Sequence, residues 1–155
     1  MLAKRRHETF YALFKVLVDK LVELFGYCLI IDIHSYNYSR IDRETLLFNL
    51  GTANYKWEDE HLFARQWKQS LADTRFPGIK IPVAENDVFR GDGYLLQWVQ
   101  REFPQTCLTV CIDIKKIYCD EATGAVYPLQ FRRLTQTLND AIRSTTGIFR
   151  EGRLA

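Results

Sequence analysis

Two apolar runs of strand length constrain most strongly what this chain can fold into. Cys28 to Ile33 is interrupted only by Asp32, and Leu108 to Ile117 is a second long run that holds one acid, Asp113. Runs with so little polar alternation suit strands covered on both faces, as in a parallel sheet. They are far shorter than the roughly 20 apolar residues that span a bilayer.

Helical patterns separate these runs. From Lys4 to Phe25 the apolar residues Phe10, Leu13, Phe14, Leu17, Leu21, Leu24 and Phe25 recur at helical spacing, and Gly26 is the expected stop. Glu58 to Thr74 places Leu62, Phe63, Trp67 and Leu71 on one face and ends at Pro77-Gly78. Tyr94 to Phe103 turns Leu95, Trp98 and Val99 inward before Pro104, and Leu129 to Ser144 spaces Leu134, Leu138 and Ile142 by four. Leu46 to Leu50 reads as a short strand closed by Gly51, and Ile79 to Val83, interrupted by Pro82, as a strand at an edge. Helices alternating with strands predict an α/β fold, a mostly parallel or mixed sheet flanked by helices.

A chain of 155 residues, 47% of them hydrophobic, is long enough for one cored domain. It is expected over residues 1–149, with 150–155 as a flexible tail. Few strands precede or surround the run at 28–33, so the sheet is expected to be incomplete at the N-terminus and the chain to be the C-terminal part of a larger domain. Exposed apolar surface left there would favour a homo-oligomer. The 21 basic and 19 acidic residues leave a net charge of +2, too little to draw in nucleic acid or an anionic membrane, so a small-molecule substrate is the expected partner. The amphipathic, charged first helix carries no export signal, which predicts a soluble, cytoplasmic protein. Cys28, Cys107, Cys111 and Cys119 sit in or beside strand-like runs, not in CxxC pairs. Buried structural thiols are the first expectation and a metal cluster the second.

Polar residues at the carboxyl ends of strands are where open α/β sheets keep their sites. His34, beside Ser35 and Asn37, can bind a metal or exchange protons near neutral pH, the alternative being a structural histidine capping a strand. Asp113 lies among apolar neighbours, where desolvation would raise its pKa and suit it to general-base work. A salt bridge to Lys115, Lys116 or Arg90 is the alternative. The loop Glu85-Asn86-Asp87-Val88-Phe89-Arg90-Gly91-Asp92-Gly93 combines acids, glycines and an arginine able to clamp a carboxylate, or is a solvated turn. Neither a dinucleotide nor a Walker fingerprint is present, and no GxSxG elbow.

Asp32-Ile33-His34-Ser35-Tyr36-Asn37 resembles the Asp-x-His-Ser segment of N-formylglutamate amidohydrolases, and is similar to the Ile-His-Ser-Tyr stretch that carries a zinc-binding histidine in zinc carboxypeptidases. Glu85 to Tyr94, then Gln97-Trp98-Val99, Phe103-Pro104, Ile112 to Lys116 and Asp120 to Gly124, is similar in order and spacing to the amidohydrolase-like domain of flavohemoglobin expression-modulating proteins. The resemblance covers roughly residues 10–140. It implies a zinc-exopeptidase-like (phosphorylase/hydrolase-like) α/β fold and metal-assisted attack of water on the amide of an N-acyl amino acid or a similar carboxylate-bearing amide. By position it makes His34 a zinc ligand, Asp113 the catalytic base in place of the family's glutamate, and Arg90, Asn37 and Ser35 substrate-binding. The family's upstream histidine and acid have no match here, so His34 is the one matching zinc ligand. A truncated or degenerate, non-catalytic module with a binding or regulatory role is the alternative that this implies.

Overall fold

A computed structural model of the chain describes residues 2–73, 75–76, 79–80 and 82–154, with side chains over 2–73 and 82–147. The elements are α1 (Leu2–Phe25), β1 (Cys28–Tyr36), β2 (Phe48–Gly51), α2 (Glu58–Asp73), β3 (Arg75–Phe76), β4 (Ile79–Lys80), β5 (Val83–Glu85), α3 (Tyr94–Glu102), β6 (Cys107–Lys115) and α4 (Pro128–Leu154). Four strands form one mixed sheet in the order β1-β6-β2-β5. β6 is parallel to β1 and antiparallel to β2, and β2 is parallel to β5. β3 and β4 make a separate two-stranded hairpin. The chain is therefore α/β with a mixed sheet between helices.

The strand covered on both faces is β6, buried from Cys107 through Ile114. Its odd and even positions feed two cores, because side chains alternate across a strand. Leu108, Val110, Ile112 and Ile114 join Phe48 and Leu50 of β2 beneath Phe63, Trp67 and Leu71 of α2 and Leu134 and Ala141 of α4. On the opposite face Cys107 and Cys28 lie beneath Val18 of α1, Trp98 and Val99 of α3, and Phe103.

Two expectations are corrected here. β1, expected to be covered on both faces, is the outermost strand next to β6 among the described residues, and its Ile33 is 48% exposed. Apolar composition alone does not separate a central strand from an edge strand that awaits a neighbour. The stripe expected to face inward from α1 also faces largely outward: Phe10, Leu13, Leu17, Leu24 and Phe25 are exposed, while Val18, Tyr11, Phe14, Leu21 and Val22 make the packed side. The helix is apolar on two sides, and periodicity does not say which one the fold uses.

Smaller differences follow from local chemistry. β1 continues past Ile33 to Tyr36, so His34 lies inside the strand. Pro82, which cannot donate to a ladder, separates β4 from β5 where one strand was expected. Thr74, Pro77, Gly78 and Ile81 lie outside the described residues, α4 runs past Ser144 to Leu154, and Leu62 of α2 is exposed. Among the described residues no helix is long and apolar enough to cross a membrane.

Phe48→Ala, at a fully buried position, is expected to cost about 3–5 kcal/mol of unfolding free energy, and Leu62→Ala on the exposed side of α2 no more than about 0.5 kcal/mol. Guanidinium unfolding of the two variants checks the assignment of the core.

Candidate active site

The register of β6 with its two neighbours sets the site. Asp113 lies opposite His34 in β1 and opposite Asn49 in β2, so three polar side chains form one row across three strands. One step back along the ladder Cys111 lies opposite Asp32. Alternation puts Asp32, His34, Cys111, Asp113 and Asn49 on the same face, the one that carries α1 and α3.

His34 Nε2 is 2.9 Å from Asp32 Oδ1, with the histidine side chain 57% exposed and the aspartate 17%. The carboxylate thus orients an imidazole that remains open to solvent. Asp113 is buried, and burial pushes its carboxyl above the usual aspartate range. The Asn49 amide and the His34 side chain pull it back down, the charge of Asp32 raises it, and the Cys111 thiol lowers it. Its Oδ2 accepts hydrogen bonds from Asn49 Nδ2 at 3.4 Å and from Cys111 Sγ at 3.9 Å. Burial, with the neighbouring Asp113 and Asp32, pushes the Cys111 thiol up to about 12, so it stays protonated and donates. The ion pair offered as the alternative for Asp113 is not formed among the described residues, since Lys115 Nζ donates to Thr45 O and Lys116 Nζ to Asn37 Oδ1.

Asn49 is the residue that sequence reasoning missed. It is fully buried, and besides Asp113 its Nδ2 donates to Phe89 O at 2.8 Å, while its Oδ1 accepts from Asp87 N at 2.9 Å and Val88 N at 3.1 Å. One amide therefore ties the loop after β5 to the central strand. An asparagine between Phe48 and Leu50 in an apolar strand was a signal of the same kind as Asp113, because buried polar groups need partners.

The loop has further anchors. Arg43 pairs with Asp87 at 2.9 Å, Thr52 N donates to Asn86 Oδ1 at 2.9 Å, and Ala53 N donates to Arg90 O at 2.8 Å. Gly91, at φ +72°, packs on Gly51 so closely that a Cβ on either would run into the other's backbone. Phe89 meets the Tyr36 ring with centroids 5.7 Å apart. On the α1 side Tyr11 meets Tyr94, at the start of α3, edge to face and His7 meets it at a tilt, each with ring centroids 5.2 Å apart. Burial, with Tyr94 and Asp32, raises the Tyr11 hydroxyl.

The structure brings His34 and Asp113 together. Arg90 directly follows Phe89, which Asn49 holds, and its side chain is exposed with no hydrogen bond or ion pair of its own among the described residues. Ser35 alternates to the opposite face, across from Ile114, and Asn37 beyond the strand is held by Lys116 at 2.7 Å. The structure does not bring those two side chains to Asp113. Zinc catalysis takes three protein ligands. Among the described residues no three His, Cys, Asp or Glu side chains group closely enough to hold a metal, His34 having only Asp32 beside it while Asp113 turns to Asn49 and Cys111. The donor set does not by itself fit zinc.

No family model matches this sequence, and no curated protein matches it. A crystal structure of N-formylglutamate amidohydrolase from Ralstonia eutropha JMP134 is similar in fold, with a TM-score of 0.68 and 22% sequence identity over 94% of this chain and 55% of that one. The chain thus spans about half the length of the protein it resembles. At this identity the likeness establishes an amidohydrolase-like α/β fold.

Two outcomes are expected. Asn49→Ala strands the Phe89 carbonyl and the Asp87 and Val88 amides, and should cost about 2–4 kcal/mol in urea unfolding. Asp113 holds its proton more tightly folded than unfolded, so it favours folding at low pH, and that contribution is lost as pH rises from the ordinary aspartate value through the raised one. Asp113→Asn should therefore gain stability relative to the wild type across that window and hold the gain at higher pH, measured as urea midpoints from about pH 3 to about pH 8.

Proposed function

We propose that this chain is an amidohydrolase-like module whose site, at the carboxyl ends of β1 and β6, acts on the amide of an N-acyl amino acid or a similar carboxylate-bearing amide. The observation that carries the reading is the row His34, Asp113 and Asn49. It supplies a buried carboxylate with a raised pKa, an oriented imidazole opposite it, and an amide fixing one carboxylate oxygen. The likeness in fold to an N-formylglutamate amidohydrolase favours the same chemistry.

In this reading Asp113 is the general base. Oδ2 is held by Asn49 and Cys111, which leaves Oδ1 to take a proton from a water as the water oxygen bonds to the amide carbon. His34, backed by Asp32, gives a proton to the departing nitrogen as the C–N bond breaks, releasing a carboxylic acid and an amine. Arg90 lies on the loop that Asn49 anchors and can pair with the substrate's carboxylate through two parallel hydrogen bonds. Asn37, held by Lys116 just beyond β1, is a further substrate contact in this reading, while Ser35 faces the other side of β1 and takes no part in it. A zinc ion at His34 would need ligands from beyond the described residues, so no step is assigned to a metal. The buried free thiols Cys28, Cys107 and Cys111 support a cytoplasmic location.

The second reading is a non-catalytic module that keeps the fold and binds a carboxylate ligand or a partner; the short donor set around His34 favours it. Incubation with N-formyl-L-glutamate, with and without added zinc, separates the two through release of free glutamate. Hydrolysis that falls about 100-fold or more in Asp113→Asn is expected, with Arg90→Ala raising KM more than it lowers kcat. No release above buffer under either condition, together with calorimetric binding that survives Asp113→Asn, would establish the second reading instead.

A further inference from the structure

α1 has a second apolar stripe that nothing among the described residues covers. Leu2, Phe10, Leu13, Leu17 and Leu24 are each more than half exposed, from 53% at Phe10 to 67% at Leu13. The packed side of the helix is a different set, Tyr11, Phe14, Val18, Leu21 and Val22 against Trp98 and Phe103. Leu2, Phe10, Leu13, Leu17 and Leu24 fall along one line of a 24-residue helix about 36 Å long. Monomers rarely leave a contiguous apolar patch much larger than a few hundred Å².

We infer that this stripe is covered by α1 of a second copy of the chain, the two helices lying antiparallel across a two-fold axis near Leu13. An isologous contact needs a self-complementary surface, and the stripe is nearly palindromic. About a point beside Leu13, Leu2 mirrors Leu24, Phe10 mirrors Leu17, and Leu13 falls next to its own copy.

Charge favours the same arrangement. Lys4, Arg5 and Arg6 crowd the N-terminal end of α1, whose first turn has no acid and whose last turn has no basic residue. Each helix is thus mismatched to its own dipole, and an antiparallel copy sets the basic end of one against the negative end of the other. Glu23, paired with Lys20 of its own helix at 2.9 Å, lies within two residues of the position opposite Arg5, on the same flank of the stripe. Arg6 and Lys20 mirror one another, and their long stems can carry both charges out to water. Five side chains this exposed offer on the order of several hundred Å² per copy, a large share of the roughly 800 Å² a side of a standard interface.

Sedimentation velocity of the full chain across a concentration series should show a dimer, and Leu13→Glu combined with Leu17→Glu should give a monomer with an unchanged far-ultraviolet spectrum. Because both positions are exposed, the double variant should fold. Oxidised Leu13→Cys should run as a cross-linked dimer on a non-reducing gel, against the parent chain as control for its own cysteines. Leu24→Cys alone should not, because its two copies would lie about 30 Å apart, whereas a mixture of Leu2→Cys and Leu24→Cys should. A wild-type monomer at every concentration, a species larger than a dimer, or a dimer that survives the double substitution would overturn the inference. The last outcome would point to pairing along the open edge of β1. Self-cross-linking of Leu24→Cys without that of Leu13→Cys would also overturn it, by showing parallel helices.

Discussion

The double partnership of β6 is the constraint on which the rest of the structure depends. A strand buried along nearly its whole length must satisfy its backbone donors and acceptors within the protein, and β6 pairs along all of its length with β1 in parallel and over residues 111–114 with β2 in antiparallel register. The register cannot slip by one residue without exchanging the two cores, because Leu108, Val110, Ile112 and Ile114 would then face α1 and α3 while Asp113 turned into the apolar layer under α2 and α4. Hydrophobic burial on one face thus fixes where His34, Asp113 and Asn49 meet on the other. The polar row follows from the apolar one.

That coupling explains what could be read from the sequence. The runs at 28–33 and 108–117 identified the two strands, and an acid inside the second marked Asp113 as a group needing a reason. His34 was legible as a histidine at a strand's end. What escaped was information held between strands. Asn49 gains its importance from pairing with Asp113 and from the three loop groups it binds, none of which is near it in sequence. Ser35 faces away from His34 because β1 runs two residues beyond His34, so strand alternation sends it to the other side. Burial was misread where an element has two apolar sides, as α1 does, or an unpaired edge, as β1 does, since composition records affinity for a neighbour and not its presence.

β1 and α1 therefore describe one side of the molecule in two ways. An open strand edge and an uncovered helical stripe lie next to each other in the chain, beside a site whose metal-ligand set is short. The protein of similar fold is nearly twice as long as the matched region. The opposite side is closed, with α2 and α4 sealed over β6 and β2. The row of His34 and Asp113 and the exposed apolar stripe of α1 thus both belong to the half of the molecule built from β1 and α1.

The central claim is that β6 holds the Asp113 carboxyl pushed upward by burial and restrained by Asn49. Carbon-13 NMR titration of the Asp113 carboxyl, in the wild type and in Asn49→Ala, measures this directly. The expected result is a midpoint above the ordinary aspartate value in the wild type and higher still once the amide is removed. A wild-type midpoint at or below the ordinary value, or one that Asn49→Ala leaves unmoved in a folded protein, would contradict it.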